Sequence, residues 1–154
     1  MRNFHMFDPR IWKNLSFQSA FDDKDRLAYF YAYTSHHQTM VGAYHLPDEY
    51  AAKDLGWDVE VFRTARQNLQ KSQMLLYDED TEEVFVVDWF PLNLPNNKNH
   101  YFGTRKVLET ISSDCIHDAV VAAMHNYLSA RKNQPLWFTE LDDKGLAMPL
   151  RQGD

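Results

Sequence analysis

The segment between residues 46 and 90 constrains the fold of this 154-residue chain more than any other. It opens with LPDEYAAKDLG, in which the proline and the two acids favour a helix start and Gly56 favours a helix end. An amphipathic stretch follows at 58–72. Two β-prone runs then flank a polar turn, at 74–77 and 84–90. The segment therefore predicts a short helix, a tight turn, a second helix and a β-hairpin.

The second of these helices is predicted to have one apolar face and one polar face, with Asp58 as its cap. Successive residues lie 100° apart around a helix, and this spacing groups the apolar side chains around Phe62. The face predicted to be buried contains Val59, Val61, Phe62, Ala65 and Leu69. The face predicted to be exposed contains Glu60, Arg63, Thr64, Gln67 and Lys71, with Arg66 on its flank.

The rest of the chain is predicted to be mostly helical. A helix with apolar spacing begins after Asp22 and ends near Thr34, another is expected near 101–111, and a longer one runs from a Ser113 or Asp114 cap to Lys132. The expected organisation is an N-terminal arm at 1–21, a helical and hairpin module at 22–90, a Pro- and Asn-rich linker at 91–99, helices within 100–134 and a tail at 135–154.

This order of elements predicts an α+β fold, mainly α, with a winged helix-turn-helix at its centre. A helix, a short helix, a tight turn containing glycine, a further helix and a hairpin follow one another between residues 22 and 90. In that architecture the helix after the turn enters a DNA groove and the hairpin forms the wing.

Several motifs in this region also resemble a known family. LPDEYAAKDLGW at 46–57, Phe62-Arg63 and Leu69 in the next helix, YDEDTEEVFV at 77–86 and DWFPLN at 88–93 are similar to the N-terminal winged-helix domain of phage replisome-organiser proteins and their DnaD-like relatives. The resemblance covers about residues 22–95. It implies a phage- or prophage-type protein that binds DNA or assembles replication proteins.

The first functional hypothesis is duplex DNA binding by the helix after Trp57. Arginine can pair with guanine through two hydrogen bonds, glutamine can pair with adenine, and lysine can contact phosphate. The candidate DNA-binding residues are Arg63, Thr64, Arg66, Gln67 and Lys71. The chain has a net charge of −6, so we do not expect general polyanion binding, because phosphate affinity depends on lysine and arginine.

A second hypothesis follows from the position of the acidic residues. Between residues 36 and 90 there are 11 acidic and 4 basic side chains, and the hairpin turn is especially acidic. These charges would repel phosphate, so the module could instead be a protein-binding adaptor or a phage-encoded inhibitor that uses its C-terminal helices as well. The candidate protein-binding residues are Asp78, Glu79, Asp80, Glu82 and Glu83.

No sequence motif indicates catalysis, a cofactor or a metal. Nucleophile, phosphate-loop, dinucleotide and zinc signatures are missing, and His36-His37 is interpreted as a helix end or a loop. Cys115 is the single cysteine, so the sequence predicts a cytoplasmic protein without an internal disulfide. It contains no apolar run long enough to span a bilayer, so no membrane partner is expected.

Two apolar segments in the C-terminal part could pack within the chain or bind a partner. The apolar stripe on residues 115–128 could close the core of one chain or form a homodimer interface. The aromatic segment 135–141 could pack back on the domain or bind a replication protein or another host protein.

Overall fold

The computed structural model describes residues 6–131 and 134–152. These residues form a mainly helical α+β fold with one small antiparallel sheet. The helices are α1 (Asp23–Thr34), α2 (Asp48–Leu55), α3 (Val59–Lys71), α4 (Phe90–Asn93), α5 (Lys98–Leu108), α6 (Asp114–Ala130) and α7 (Leu136–Asp143). The strands are β1 (Ala43–His45), β2 (Leu75–Asp78) and β3 (Glu83–Val86).

The predicted hairpin is confirmed, and it is extended by a strand that the sequence did not predict. β3 is the central strand and pairs antiparallel with both neighbours, in the order β1-β3-β2. Ala43 lies opposite Phe85 on one side, and Leu76 lies opposite the same residue on the other. The hairpin is shorter than expected, because β3 ends at Val86 and Phe90 already begins α4.

The start of α1 and the end of α2 are each defined by a capping interaction. The Asp22 carboxylate accepts the backbone N–H of Asp25, and the Asp25 side chain accepts that of Asp22, which completes a capping box. Gly56 ends α2 with φ 68°, a left-handed conformation that costs glycine little. The side chain of Asp58 makes no capping hydrogen bond, so only its position before α3 matches the prediction.

A close approach between Gly42 and Trp89 joins the sheet to the core. A Cβ atom at Gly42 would lie 2.3 Å from Cγ of Trp89, so only glycine fits there. The indole Nε1–H of the fully buried Trp89 donates to the carbonyl of Met40 at 3.0 Å. This packing fixes the loop that leads into β1 against the exit of β3.

The N-terminal arm packs on α1 through aromatic side chains. It contains a 3₁₀ turn at Pro9–Lys13 and a π-helical turn at Ser16–Ala20. Phe17 is completely buried, and its ring lies 5.6 Å from Phe30 and 6.0 Å from Tyr29.

The C-terminal part is more ordered than the sequence suggested. The 91–99 linker begins with the end of α4, in which Asn93 is buried and donates to the carbonyl of Trp89. The 135–154 tail contains α7, whose Phe138 and Leu141 are buried, so segment 135–141 packs back on the domain. Lys132, the expected end of α6, lies outside the described residues, and α6 is described to Ala130.

The apolar stripe of α6 closes the core of this chain. Ile116, Val120 and Met124 on the stripe are each at most 1% exposed, and α6 packs on both strands of the hairpin. Among the described helices, none combines the length and the apolar character needed to cross a lipid bilayer.

Candidate nucleic-acid interface

The unit formed by α2, its turn and α3 positions the polar face on which the DNA hypothesis depends. Three residues, 56–58, separate the two helices. The turn is closed by the backbone N–H of Trp57, which donates to the carbonyl of Ala52 at 2.9 Å. Phe62 and Leu69 of α3 are buried, so the opposite side of α3 faces solvent.

Most of the predicted faces of α3 are observed. Glu60, Thr64, Gln67 and Lys71 are exposed, as expected. Val61 is predicted to be buried but is exposed. Its side chain lines a shallow groove between α3 and the start of α1 instead of entering the core.

Arg66 is the main correction to the candidate DNA-binding set. Its side chain is 0% exposed, so it is not available for contact with a DNA groove. Its guanidinium donates to Asp48 at 2.7 and 3.0 Å, to Glu79 at 2.8 and 3.1 Å, and to Gln70 at 2.7 Å. The same group lies 3.7 Å from the centre of the Tyr77 ring. Arg66 therefore joins α2, α3 and the hairpin inside the domain.

Arg63 is partly engaged by the same buried carboxylate. Its Nε donates to Asp48 Oδ2 at 2.9 Å, and its Nη1 pairs with Glu60. The bond to Asp48 raises the pKa of the Arg63 guanidinium above its ordinary value. The side chain is 36% exposed, so Arg63 reaches the surface with much of its charge already compensated.

The five candidate acidic residues of the hairpin do not form one exposed cluster. Glu79 is exposed at the turn and pairs with Arg66, whereas Glu83 is only 4% exposed within β3. Asp78 is half-buried in β2, while Asp80 and Glu82 are exposed at the turn. Three of the five candidate protein-binding carboxylates, Glu79, Asp80 and Glu82, are therefore exposed at the turn, whereas Glu83 is not.

The two strand residues among these acids are bound to the start of α6. The Glu83 carboxylate accepts the backbone N–H groups of Ser112 and Ser113 at 2.8 and 2.7 Å. The Ser113 hydroxyl donates to Asp78 at 2.5 Å. That hydrogen bond, together with the N–H of Asp80, holds the pKa of the Asp78 carboxyl below its usual value.

The fold also brings together three side chains, His36, His37 and Asp54, that lie on two different segments of the sequence. His36 and His37 follow the end of α1, and Asp54 belongs to the last turn of α2. The Tyr31 hydroxyl donates to Asp54 Oδ2 at 2.7 Å. Burial, followed by this bond, raises the pKa of Tyr31 to about 12, so its hydroxyl keeps its proton. A sequence motif could not find this group, because α2 supplies the carboxylate from 17 or 18 positions away.

Comparison of the chain with protein-family models, with curated proteins and with solved structures found no match.

Proposed function

We propose that residues 22–90 are a winged helix-turn-helix that binds duplex DNA through the exposed face of α3. The main supporting observation is the unit α2, three-residue turn and α3, followed by the hairpin β2-β3. Helix-turn-helix proteins place the second helix of this unit in the major groove.

The residues that support the proposal are fewer than the sequence suggested. Thr64, Gln67 and Lys71 are exposed on α3, and Arg63 is partly exposed beside them. The Arg63–Glu60 pair is exposed to solvent, and such pairs contribute little to stability, so a phosphate could replace Glu60 at small cost. Arg66 is left out of the proposed contact set because it is buried.

The acidic hairpin opposes DNA binding less than its sequence implied. Asp78 and Glu83 bind the start of α6, and Glu79 pairs with Arg66. The exposed turn carboxylates are Glu79, Asp80 and Glu82, and Glu82 lies 3.6 Å from the His45 ring nitrogen. The alternative, a protein-binding adaptor that uses these acids, loses support for the same reason.

A narrower part of the proposal is a role in replication. It is supported by the resemblance of residues 22–95 to the winged-helix domain of phage replisome organisers. The DNA target proposed with it is a replication origin or a regulatory site.

The test is binding to a labelled pool of random duplexes at low salt, measured by fluorescence anisotropy and followed by sequencing of the bound fraction. We expect binding that weakens steeply as salt rises, because released counterions drive phosphate contact. Lys71→Glu should weaken binding at least tenfold, and Gln67→Ala should change the selected sequence.

The matched control is Lys144→Glu, which makes the same charge change on an exposed residue at the end of α7. It should bind DNA like the unaltered protein. If the unaltered protein shows no salt-sensitive binding to any duplex, or if both charge reversals have equal effects, the proposal is wrong.

A further inference from the structure

The ends of α1 and α2 place two imidazoles and one carboxylate side by side on the surface. His36 Nδ1 lies 3.7 Å from Asp54 Oδ2, and the ring centres of His36 and His37 are 3.8 Å apart. One ligand atom from each of the three residues can be chosen so that all lie within 4.8 Å of one another. All three side chains are exposed, so an ion can reach them without opening the fold.

We propose that His36, His37 and Asp54 form a binding site for a divalent transition metal ion of the zinc class. Zinc accepts imidazole nitrogen at about 2.0–2.1 Å and carboxylate oxygen at about 2.0–2.2 Å. Tetrahedral ligands at these lengths lie roughly 3.4 Å apart. Side-chain rotations that move the exposed ligand atoms by about 1 Å bring them to this spacing. Water completes the coordination.

The chemistry of the donors selects the kind of ion. Neutral imidazole suits zinc, nickel and copper, whereas magnesium and calcium prefer a shell of oxygen ligands. A single carboxylate cannot supply such a shell. The site is therefore expected to discriminate against magnesium and calcium.

The surroundings of the three ligands favour a cation. His36 and His37 come directly after the C-terminal end of α1, and Asp54 lies in the last turn of α2. The carbonyl groups at both helix ends provide partial negative charge. Tyr31 orients the carboxylate through its hydrogen bond, as outer hydrogen-bond partners do around zinc ligands.

A bound ion would tie α1 to α2 beside the turn that leads into α3. Because the ligands belong to the folded chain, binding would stabilise the folded state in proportion to the logarithm of metal concentration. This inference is independent of DNA binding, since none of its ligands belongs to the proposed contact face.

The test uses full-length, tag-free protein that has been treated with chelator and desalted. Titration with zinc chloride by calorimetry should give one ion per chain, with micromolar or tighter affinity. Cobalt chloride should give visible absorption bands that zinc removes. Zinc at about a hundredfold excess over its dissociation constant should raise the melting temperature by several degrees, and chelator should reverse the rise.

The variants His37→Ala and Asp54→Asn should each weaken zinc binding at least tenfold, and Tyr31→Phe should weaken it about tenfold. His100→Ala on α5 is the control, because it removes an imidazole elsewhere. Circular dichroism will show that each variant is folded.

Three results would overturn the proposal. The first is the absence of zinc binding below about 1 mM in the unaltered protein. The second is equal affinity in His37→Ala and the control. The third is half an ion per chain with a zinc-dependent dimer, which would place the ion between two copies.

Discussion

At the scale of single residues, burial separates two basic side chains of one helix that look alike in the sequence. Arg66 and Lys71 both follow the polar pattern of α3, yet Arg66 is fully buried and Lys71 is exposed. The deciding contact is Asp48, which lies 18 positions earlier and becomes a neighbour only when α2 packs on α3. Helical periodicity describes one helix and carries no information about the partner it packs against, so it could not place Arg66.

Replacing Arg66 tests its structural role. We expect Arg66→Met to lower the free energy of unfolding by about 3–5 kcal/mol, because the nearly buried carboxylate of Asp48 loses its principal cation. The pair with Glu79 should contribute little of this, since the Glu79 side chain is 65% exposed. Urea unfolding followed by circular dichroism measures the change.

Lys71→Met is the control for that experiment, and its effect should stay within about 0.5 kcal/mol. The double variant Arg66→Met with Asp48→Asn should recover part of the loss, because it removes the carboxylate that Arg66→Met leaves without its main cation. The recovery is only partial, because Arg63 also donates to Asp48. A loss below about 1 kcal/mol for Arg66→Met would show that the ion pairs do not hold the three elements together.

At the scale of elements, the contact between the hairpin and α6 explains much of the acidity of the hairpin. Asp78 and Glu83 lie opposite each other across β2 and β3, and like charges in such a position repel. Both side chains instead bind the residues that precede and cap α6, where free N–H groups and the helix dipole favour anions.

Removing one of these charges should loosen that contact. We expect Glu83→Gln to reduce the free energy of unfolding by about 1–3 kcal/mol, because the nearly buried Glu83 carboxylate loses one of its two charge-assisted hydrogen bonds to backbone N–H groups. Hydrogen exchange should show the largest loss of protection in β3 and the first turn of α6. Glu82→Gln, at the exposed turn, is the control, and equal effects in the two variants would contradict this account.

The elements that were predicted correctly are those with local signals. α1, α2 and α3 have caps or periodic apolar residues, and the hairpin has two β-prone runs around a polar turn. β1 has only three residues and is defined by pairing with β3, about 40 positions later. α7 has eight residues, and its buried Phe138 and Leu141 depend on packing against other parts of the chain. Such non-local contacts leave no periodic trace in a short segment.

At the scale of the whole molecule, the net charge of −6 does not describe one acidic surface. Three hairpin acids, Asp78, Glu79 and Glu83, bind groups inside the chain, and Asp48 binds two arginines of α3. These four acidic residues thus join elements, while eight of the 11 acids between residues 36 and 90 are exposed, Glu79 among them. An estimate of surface charge from counts of acidic and basic residues overstates the electrostatic repulsion that DNA would meet.

The C-terminal helices should make the stability of the whole molecule depend on pH. The ring nitrogen Nε2 of His125 on α6 lies 2.9 Å from the Tyr101 hydroxyl of α5, which also accepts the backbone N–H of Met148. The centre of the Phe138 ring on α7 lies 5.3 Å from the centre of the His125 ring. Burial lowers the pKa of His125, and the nearby charge of Asp142 opposes this effect without reversing it.

A histidine whose pKa is lower in the folded state binds fewer protons there than in the unfolded chain. The stability that it contributes is therefore complete above its pKa in the unfolded chain, about 6.5. This stability is lost as the pH falls toward the lower pKa of the folded state. We expect the melting temperature to decrease from pH 7.5 to pH 5.5, and the decrease to be smaller in His125→Gln. Hydrogen exchange at pH 5.5 should show α7 opening before α1 and α3, because α7 packs directly on this ring. The same pH dependence in the variant and the unaltered protein would mean that another group is responsible.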